Sequence, residues 1–229
     1  MLKTKKIILF IVEGITDEAA LAGILTKIIN NNETRFYFTE GDITSNNATN
    51  PSNLKRKLGE HVKSFLEKYH FQKSNIRAVI HLLDTDGAFI DKQFLENDDS
   101  CGEFYYTLNS IKSNDISKVI ERNNRKSILM DILYKMDKIL SSVDYKAYYL
   151  SSNLEHVLHN KINVPKNEKM KLAEEFDDMY CGKEIEFINF ISNSSLAVSG
   201  NYIETWEYIK RDLNSLNRFS NLHLFFQES

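Results

Sequence analysis

The sequence predicts an α/β protein in which a parallel sheet of about four strands is flanked by helices. Residues 7–12 form a continuous apolar run rich in β-branched side chains, which is typical of a strand covered on both faces. Strand-like and helix-like segments then alternate along the chain. This alternation favours parallel strands joined by right-handed crossovers.

The first half of the chain predicts the order strand, helix, strand, helix, strand. Thr16 can cap a helix in which apolar residues recur at helical spacing as far as Ile29. Residues 35–39 read as a second strand, and an amphipathic helix runs from Leu54 to about His70. Residues 78–83 form the third predicted strand. Asp42, which follows the second strand, is interpreted as a turn residue.

The second half of the chain predicts an insertion followed by a mainly helical region. Residues 88–123 are polar and predict an irregular insertion or lid, a helix follows at 127–140, and residues 146–150 could form a fourth strand. Further helices are predicted at 153–160, 167–180, 183–191 and 202–216, and the tail at 222–226 is a helix end or a strand. We therefore expect a core at 1–160 and a helical C-terminal extension at 161–229 that packs on it.

Composition narrows the classes of function and compartment. The net charge of −3 lacks the basic excess of many nucleic-acid binders, but carboxylate ligands would make a metal-dependent nuclease more acidic. Cys101 and Cys181 sit in no CxxC motif, which argues against a disulfide framework or a structural zinc site. The apolar run at 7–12 is too short for a membrane span or a signal peptide. We expect a cytoplasmic protein with no membrane partner.

Acidic residues follow two of the predicted strands. Glu13 follows the first strand, and Asp84 and Asp86 follow the third. Ligands of parallel α/β sheets bind beyond the carboxyl ends of the strands, so neighbouring strands would bring the three carboxylates together. Such a cluster is costly unless a cation neutralises it, and oxygen ligands suit Mg²⁺ or Mn²⁺, which activate water in phosphodiester chemistry. Each motif alone is also ordinary turn chemistry.

These two motifs, VEGITDE at 12–18 and DTD at 84–86, resemble the signature of the Toprim family. That domain is shared by topoisomerases, bacterial primases, small RNA-maturation nucleases and the OLD (overcoming lysogenization defect) nucleases. The resemblance covers about residues 5–90, with weaker support to about 160. It implies a Toprim-like fold in which Glu13 acts in acid/base chemistry or metal binding, and Asp84 and Asp86 hold the metal.

The OLD-like branch of the family is the most similar. In that branch, two further acidic residues complete a site for one or two ions. One lies a helical turn after the glutamate, and Asp17 matches it. The other is a glutamate from a later Leu-Glu segment, and Glu155 matches it. Alternatively, Asp17 is a favourable charge at a helix N-terminus, and residues 152–155 form a capping box. A lysine stabilises the scissile phosphate in that branch, and Lys161 is the candidate here.

The same resemblance predicts partners. The chain has no GxxxxGK[ST] motif, so an ATP-driven cycle would need a separately encoded ATPase, and a homo-oligomer is the other expected assembly. A role in phage defence is what the OLD-like resemblance suggests. The substrate is DNA or RNA. Basic residues that flank loops leading to the predicted site are the candidates for phosphate contacts: Lys55, Arg56 and Lys57, and Arg125 and Lys126.

Two other functions compete with the nuclease. Residues 79–87 resemble the strand and DxDG motif of haloacid-dehalogenase phosphatases, with Asp84 as nucleophile and Asp86 as acid/base. In that family the motif ends the first strand, whereas here a strand-helix-strand-helix segment precedes it, and the later lysine and acidic pair of that family are missing. The second alternative is a non-enzymatic binding or regulatory module that keeps a Toprim-derived core.

Overall fold

The structure, a computed structural model, describes residues 6–29, 34–41, 43–102 and 104–227; Asp42 lies outside them. The strands are β1 (Lys6–Val12), β2 (Thr34–Glu40), β3 (Ile76–Asp84), β4 (Leu95–Asn97), β5 (Tyr105–Tyr106), β6 (Ile111–Ser113), β7 (Lys138–Ile139) and β8 (Val143–Leu150). The α-helices are α1 (Ile15–Ile29), α2 (Leu54–Lys68), α3 (Ile116–Leu133), α4 (Leu154–His159), α5 (Lys166–Tyr180), α6 (Glu184–Ile191), α7 (Tyr202–Ile209) and α8 (His223–Gln227).

The described residues group into two units that are interleaved along the chain. The first unit contains the described residues up to Leu83, together with Leu129–Tyr148 and Ala173–Phe187. The second unit contains Asp84–Ile128, Tyr149–Leu172 and the described residues from Ile188 onward. The predicted division near residue 160 remains a prediction.

The main sheet has five strands in the order β2-β1-β3-β8-β7. β1 pairs in parallel with both β2 and β3, and β7 pairs antiparallel with β8. Every residue of β1 from Ile7 to Val12 is buried, as expected for a parallel strand covered on both faces. The predicted α/β class and the neighbouring placement of the first and third strands are therefore confirmed, although the sheet is mixed and has one strand more than expected.

Helices α1 and α2 form close to where they are predicted, with one local correction. α1 begins at Ile15, so Thr16 lies in its first turn and is not the capping residue. The Asp17 carboxylate instead accepts a hydrogen bond from the Gly14 amide at 2.9 Å. An acidic side chain at this end of the helix also interacts favourably with the helix dipole.

The predicted irregular insertion at 88–123 is partly wrong. A small sheet in the second unit has the strand order β4-β6-β5, in which β4 pairs in parallel with β6 and β5 pairs antiparallel with it. Ile90, Ile111, Val119 and Leu216 form a buried apolar cluster there. Strands of two or three residues are too short to show an alternating pattern, so the sequence does not indicate them.

The helix predicted at 127–140 is also displaced. α3 begins at Ile116 and ends at Leu133, and β7 occupies part of the remaining segment. Asp115 precedes the helix, and its Oδ1 accepts hydrogen bonds from the amides of Ser117 and Lys118, as a capping residue does. The C-terminal helices are confirmed, except that α7 ends at Ile209 rather than at 216. None of the described helices is long and apolar enough to cross a membrane.

Candidate metal centre

Glu13 and Asp17 lie at the carboxyl end of β1, in the first unit. Glu13 directly follows the strand and is half-buried, and the Thr44 hydroxyl lies 3.5 Å from its Oε1. Asp17 is buried and accepts the Gly14 amide hydrogen bond that closes the start of α1. Asp17 therefore has a structural role at the helix N-terminus, whether or not it also binds a metal.

Asp84 is the last residue of β3, and it is half-buried. β3 is the parallel neighbour of β1, with Ile11 opposite His81. The two strands therefore end at the same edge of the sheet. His81 itself is fully buried, with Nδ1 2.9 Å from the Tyr145 hydroxyl.

Asp86 lies in a tight turn immediately after β3, in the second unit. The Ala88 amide donates to the Thr85 carbonyl at 2.9 Å, and the central residues Asp86 and Gly87 have φ values of 48° and 64°. Positive φ at both central positions is the feature of a type I′ turn, which Asp and Gly tolerate. A Cβ on Gly87 would also lie 2.5 Å from Leu216 Cδ2, so this turn requires glycine there.

The Asp86 carboxylate forms an ion pair with a buried lysine. Lys126, on α3, is fully buried and donates to Asp86 Oδ2, and the Asp86 side chain is 20% exposed. Burial opposes ionisation of the carboxyl group, but the charges of Lys126 and Arg122 outweigh it and lower the pKa of Asp86 below its ordinary value. Lys169 acts in the same direction. Asp86 is therefore a carboxylate whose charge is already compensated.

The Arg122 side chain stabilises the turn by binding a main-chain carbonyl of the turn. Its guanidinium donates to the Asp86 carbonyl at 2.8 Å and to the Tyr106 hydroxyl, and it lies 4.3 Å from the centre of the Phe104 ring. Burial and the neighbouring Asp86 charge raise the pKa of Tyr106 to about 12, so this phenol stays neutral. One arginine thus joins the small sheet to the acidic turn within the second unit.

Backbone hydrogen bonds connect the DxD turn to the residues that immediately precede the Leu-Glu segment. The Thr85 amide donates to Leu150 O at 3.0 Å, and the Asp86 amide donates to Ser152 O at 2.7 Å. The buried Thr85 hydroxyl donates to Ser215 O and accepts from the Ser152 amide, both at 2.8 Å. The DxD turn therefore lies beside the chain that leads into α4, which carries Glu155.

α4 positions the predicted ligand Glu155. Asn153 caps this helix by accepting the His156 amide at 3.0 Å, so the capping function belongs to Asn153. Glu155 is 3% exposed, and its carboxylate pairs with the Lys169 ammonium at 2.9 Å. The adjacent His156 is also buried, and burial together with the Arg218 charge lowers its pKa to about 4. His156 is therefore neutral near pH 7.

The fit of these residues to a divalent metal depends on competition with the lysines. The predicted donors are carboxylate oxygens, which suit Mg²⁺ or Mn²⁺. In the ranges 6–29, 34–41, 43–102 and 104–227, no three His, Cys, Asp or Glu side chains form a group that could hold a metal ion. For Asp86 or Glu155 to bind a metal, the cation must share the carboxylate with a lysine ammonium or displace it. Convergence of all five acids on one site remains a prediction.

The predicted phosphate-binding residues have different environments. Lys55 and Arg56 are exposed on α2, whereas Lys57 is half-buried and donates to Thr49 Oγ1 at 3.2 Å. Lys161 is exposed after α4. Arg125 is half-buried on α3. Lys126 is fully buried, and its ammonium pairs with the Asp86 carboxylate inside the second unit.

Taken together, the fold and these residues define an α/β protein with a mixed, mostly parallel sheet and acidic residues after two neighbouring strands. Comparison of the chain with family models, curated proteins and solved structures gives no match.

Proposed function

We propose that the protein is a metal-dependent nuclease of the Toprim type, similar to the OLD-like branch, that cleaves nucleic-acid phosphodiesters. The observation that carries this proposal is the parallel pairing of β1 and β3, because Glu13 follows β1 and Asp84 is the last residue of β3. Carboxylates at the carboxyl ends of neighbouring parallel strands occupy the edge where α/β enzymes bind their ligands.

The proposed chemistry assigns roles to the acidic residues. Glu13, Asp17, Asp84, Asp86 and Glu155 would hold one or two Mg²⁺ or Mn²⁺ ions, and a bound ion would polarise the phosphate and lower the pKa of an attacking water. Glu13 would accept the proton that this water loses as its oxygen bonds to phosphorus. The bond from phosphorus to the leaving oxygen would then break, and the leaving oxygen would take up a proton from solvent water.

The cations near Asp86 and Glu155 would contribute to the binding of a phosphate. Lys126, Arg122 and Lys169 provide three positive charges around the carboxylates of Asp86 and Glu155. These cations would reduce the repulsion between the acidic residues and an approaching phosphate, because electrostatic interactions are stronger where water is excluded. Lys161, which the resemblance suggests for this role, is exposed.

The test is a cleavage assay on purified protein. Labelled single-stranded DNA, duplex DNA and a structured RNA are incubated with Mg²⁺, Mn²⁺ or EDTA. We expect metal-dependent cutting that Glu13→Gln and Asp84→Asn abolish. Glu67→Gln, which changes an exposed acid on α2, is the matched control and should retain full activity. Cutting that survives both site substitutions would contradict the proposal.

A second candidate, a non-enzymatic binding or regulatory module, is favoured by one observation. Asp86 and Glu155 each already pair with a lysine, so their charges are compensated by the chain itself. This candidate predicts no cutting of any substrate under any metal condition. A separately encoded ATPase or a second copy of the chain would then be the partner to add, with restored cutting supporting the nuclease.

The phosphatase alternative is tested in the same assay. Its signature would be metal-dependent hydrolysis of a small phosphomonoester that needs Asp84 but not Glu13. The order β1-α1-β2-α2 before β3 disfavours this alternative, because the family it resembles carries the motif on its first strand.

A further inference from the structure

A positively charged cleft lies in the first unit, between α2 and the turn that joins β7 to β8. Its volume is about 380 Å³. Among the described residues, four cationic side chains and one acid, Glu60, line it. The cations are Lys55, Arg56, Lys63 and Lys138. Because the whole chain has a net charge of −3, this local excess of positive charge is opposite to the overall balance.

Two lysines of the helical wall lie in line along α2. Lys55, Gly59 and Lys63 follow one another at intervals of four residues, so they lie along one face of α2. A rise of about 1.5 Å per residue separates Lys55 from Lys63 by about 12 Å along the helix axis.

The cations of the cleft are available to an external anion. Among the described residues, Lys55 and Lys63 have no ion-pair partner. Arg56 pairs with Glu60 at 2.7 Å, but both side chains are more than half exposed. The pair between Lys138 and Asp144 is equally exposed. Exposed pairs contribute little stability, so exchanging them for phosphate contacts costs little.

The opposite wall is a strained turn that is held in place. Leu140 and Ser141 have φ values of 48° and 69°, which are unfavourable for side chains without special hydrogen bonding. The Ser142 amide donates to Ile139 O at 3.2 Å, and Lys73 Nζ donates to Leu140 O at 3.3 Å. Strain of this kind persists where the surroundings determine the conformation, and it is frequent at ligand-binding positions.

Leu140 of the turn approaches α2 at Gly59, a residue without a side chain. A Cβ at Gly59 would lie 3.2 Å from Leu140 Cδ2, so glycine allows the turn to approach the helix closely. Glycine inside a helix costs about 0.5–1 kcal/mol relative to alanine. The close approach of the turn is a structural reason for glycine at this position, and it gives the cleft a defined width.

We propose that this cleft binds the phosphodiester backbone of a nucleic-acid strand without reading its sequence. Cationic side chains that contact phosphates position a strand, whereas stacking on aromatic rings holds its bases. None of the described residues that line the cleft is aromatic. The inference rests on the proposed nuclease function and extends it, because it assigns part of the substrate-binding surface to α2 and the β7–β8 turn.

The experiment measures binding in EDTA, so that it does not depend on cleavage. A fluorescent 20-nucleotide DNA, single-stranded or as a duplex, is titrated with the full chain, and affinity is followed by anisotropy between 50 and 300 mM salt. The test variant is Lys55→Gln/Lys63→Gln. The matched control is Lys68→Gln/Lys135→Gln, which neutralises two exposed lysines that do not line the cleft.

Loss of two phosphate contacts should flatten the plot of log affinity against log salt. The slope should fall by about 1.4 for the single strand and about 1.8 for the duplex, so affinity at 0.1 M salt should fall roughly 25- to 60-fold. The control variant should bind like the wild type. Equal affinity and slope for the test variant, or an equal loss in the control, would overturn the proposal.

Two further outcomes separate this inference from the proposed function. Binding that depends on Lys55 and Lys63, in a protein that cuts nothing with Mg²⁺ or Mn²⁺, supports the cleft while contradicting the nuclease. Metal-dependent cutting with unchanged kinetics in the Lys55→Gln/Lys63→Gln variant supports the nuclease and overturns the cleft. Inorganic polyphosphate serves as a competitor; binding of polyphosphate without binding of either nucleic acid would also overturn the assignment.

Discussion

Replacing Lys126 by methionine is expected to destabilise the second unit by about 3 kcal/mol. The substitution keeps a long side chain and removes the ammonium that faces Asp86 in a fully buried position. Removing one partner of a buried ion pair costs about 3–5 kcal/mol, because the remaining charge is left uncompensated. We take the low end of this range because the Asp86 side chain is 20% exposed and Arg122 still acts on it.

The measurement is a double-mutant cycle with Asp86→Asn, since asparagine tolerates the positive φ of 48° at this position. Urea unfolding at pH 7 is followed by the fluorescence of Trp206, the single tryptophan, which is buried against Tyr149 in the second unit. The double variant should be about 2 kcal/mol more stable than the sum of the two single losses predicts. Additive losses, or a Lys126→Met variant within 1 kcal/mol of the wild type, would refute the reasoning.

Three further predictions concern the same unit. Gly87→Ala should cost about 1–3 kcal/mol in urea unfolding, because it combines a φ of 64° with a contact to Leu216; a wild-type midpoint would contradict this. Thr85→Val should cost about 2 kcal/mol by removing two buried hydrogen bonds, whereas Thr85→Ser should lose much less. The pKa of His156 is lowered to about 4 in the folded state. The neutral imidazole therefore contributes fully to the free energy of unfolding above about pH 6.5, and this contribution is lost as pH falls towards 4. Between these pH values the wild type should therefore lose about 2.5 kcal/mol more stability than His156→Gln, and equal pH dependence would refute it.

The part of the fold that the sequence predicts well is the part with strong local patterns. The buried run of β1 and the amphipathic spacing of α1 and α2 each have one interpretation, so the order from β1 to β3 is recovered from residues alone. The parallel pairing of β1 with β3 also confirms that the strand before Glu13 and the strand that ends at Asp84 are neighbours. Whether these acids bind a metal stays a prediction.

The missed features depend on tertiary contacts or on short elements. α3 has a polar first half with two adjacent asparagines, Asn123 and Asn124, so helical periodicity becomes visible only near its end. The acidic cap at Asp115 was the available signal for its true start. The burial of Lys126 could not be predicted, because lysine is rarely buried and its partner is 40 residues away in sequence.

The interleaving of the two units has a consequence for biosynthesis. The first unit includes Ala173–Phe187, and in this segment the Asp177 carboxylate lies so close to α1 that a Cβ at Gly23 would be 2.1 Å from its Oδ1. This unit therefore cannot complete its packing until about residue 187 has been translated. At about 5–20 residues per second, the ribosome needs about 10–40 s to reach that point after β1 has been made. During this interval the first unit lacks the packing that residues 173–187 supply.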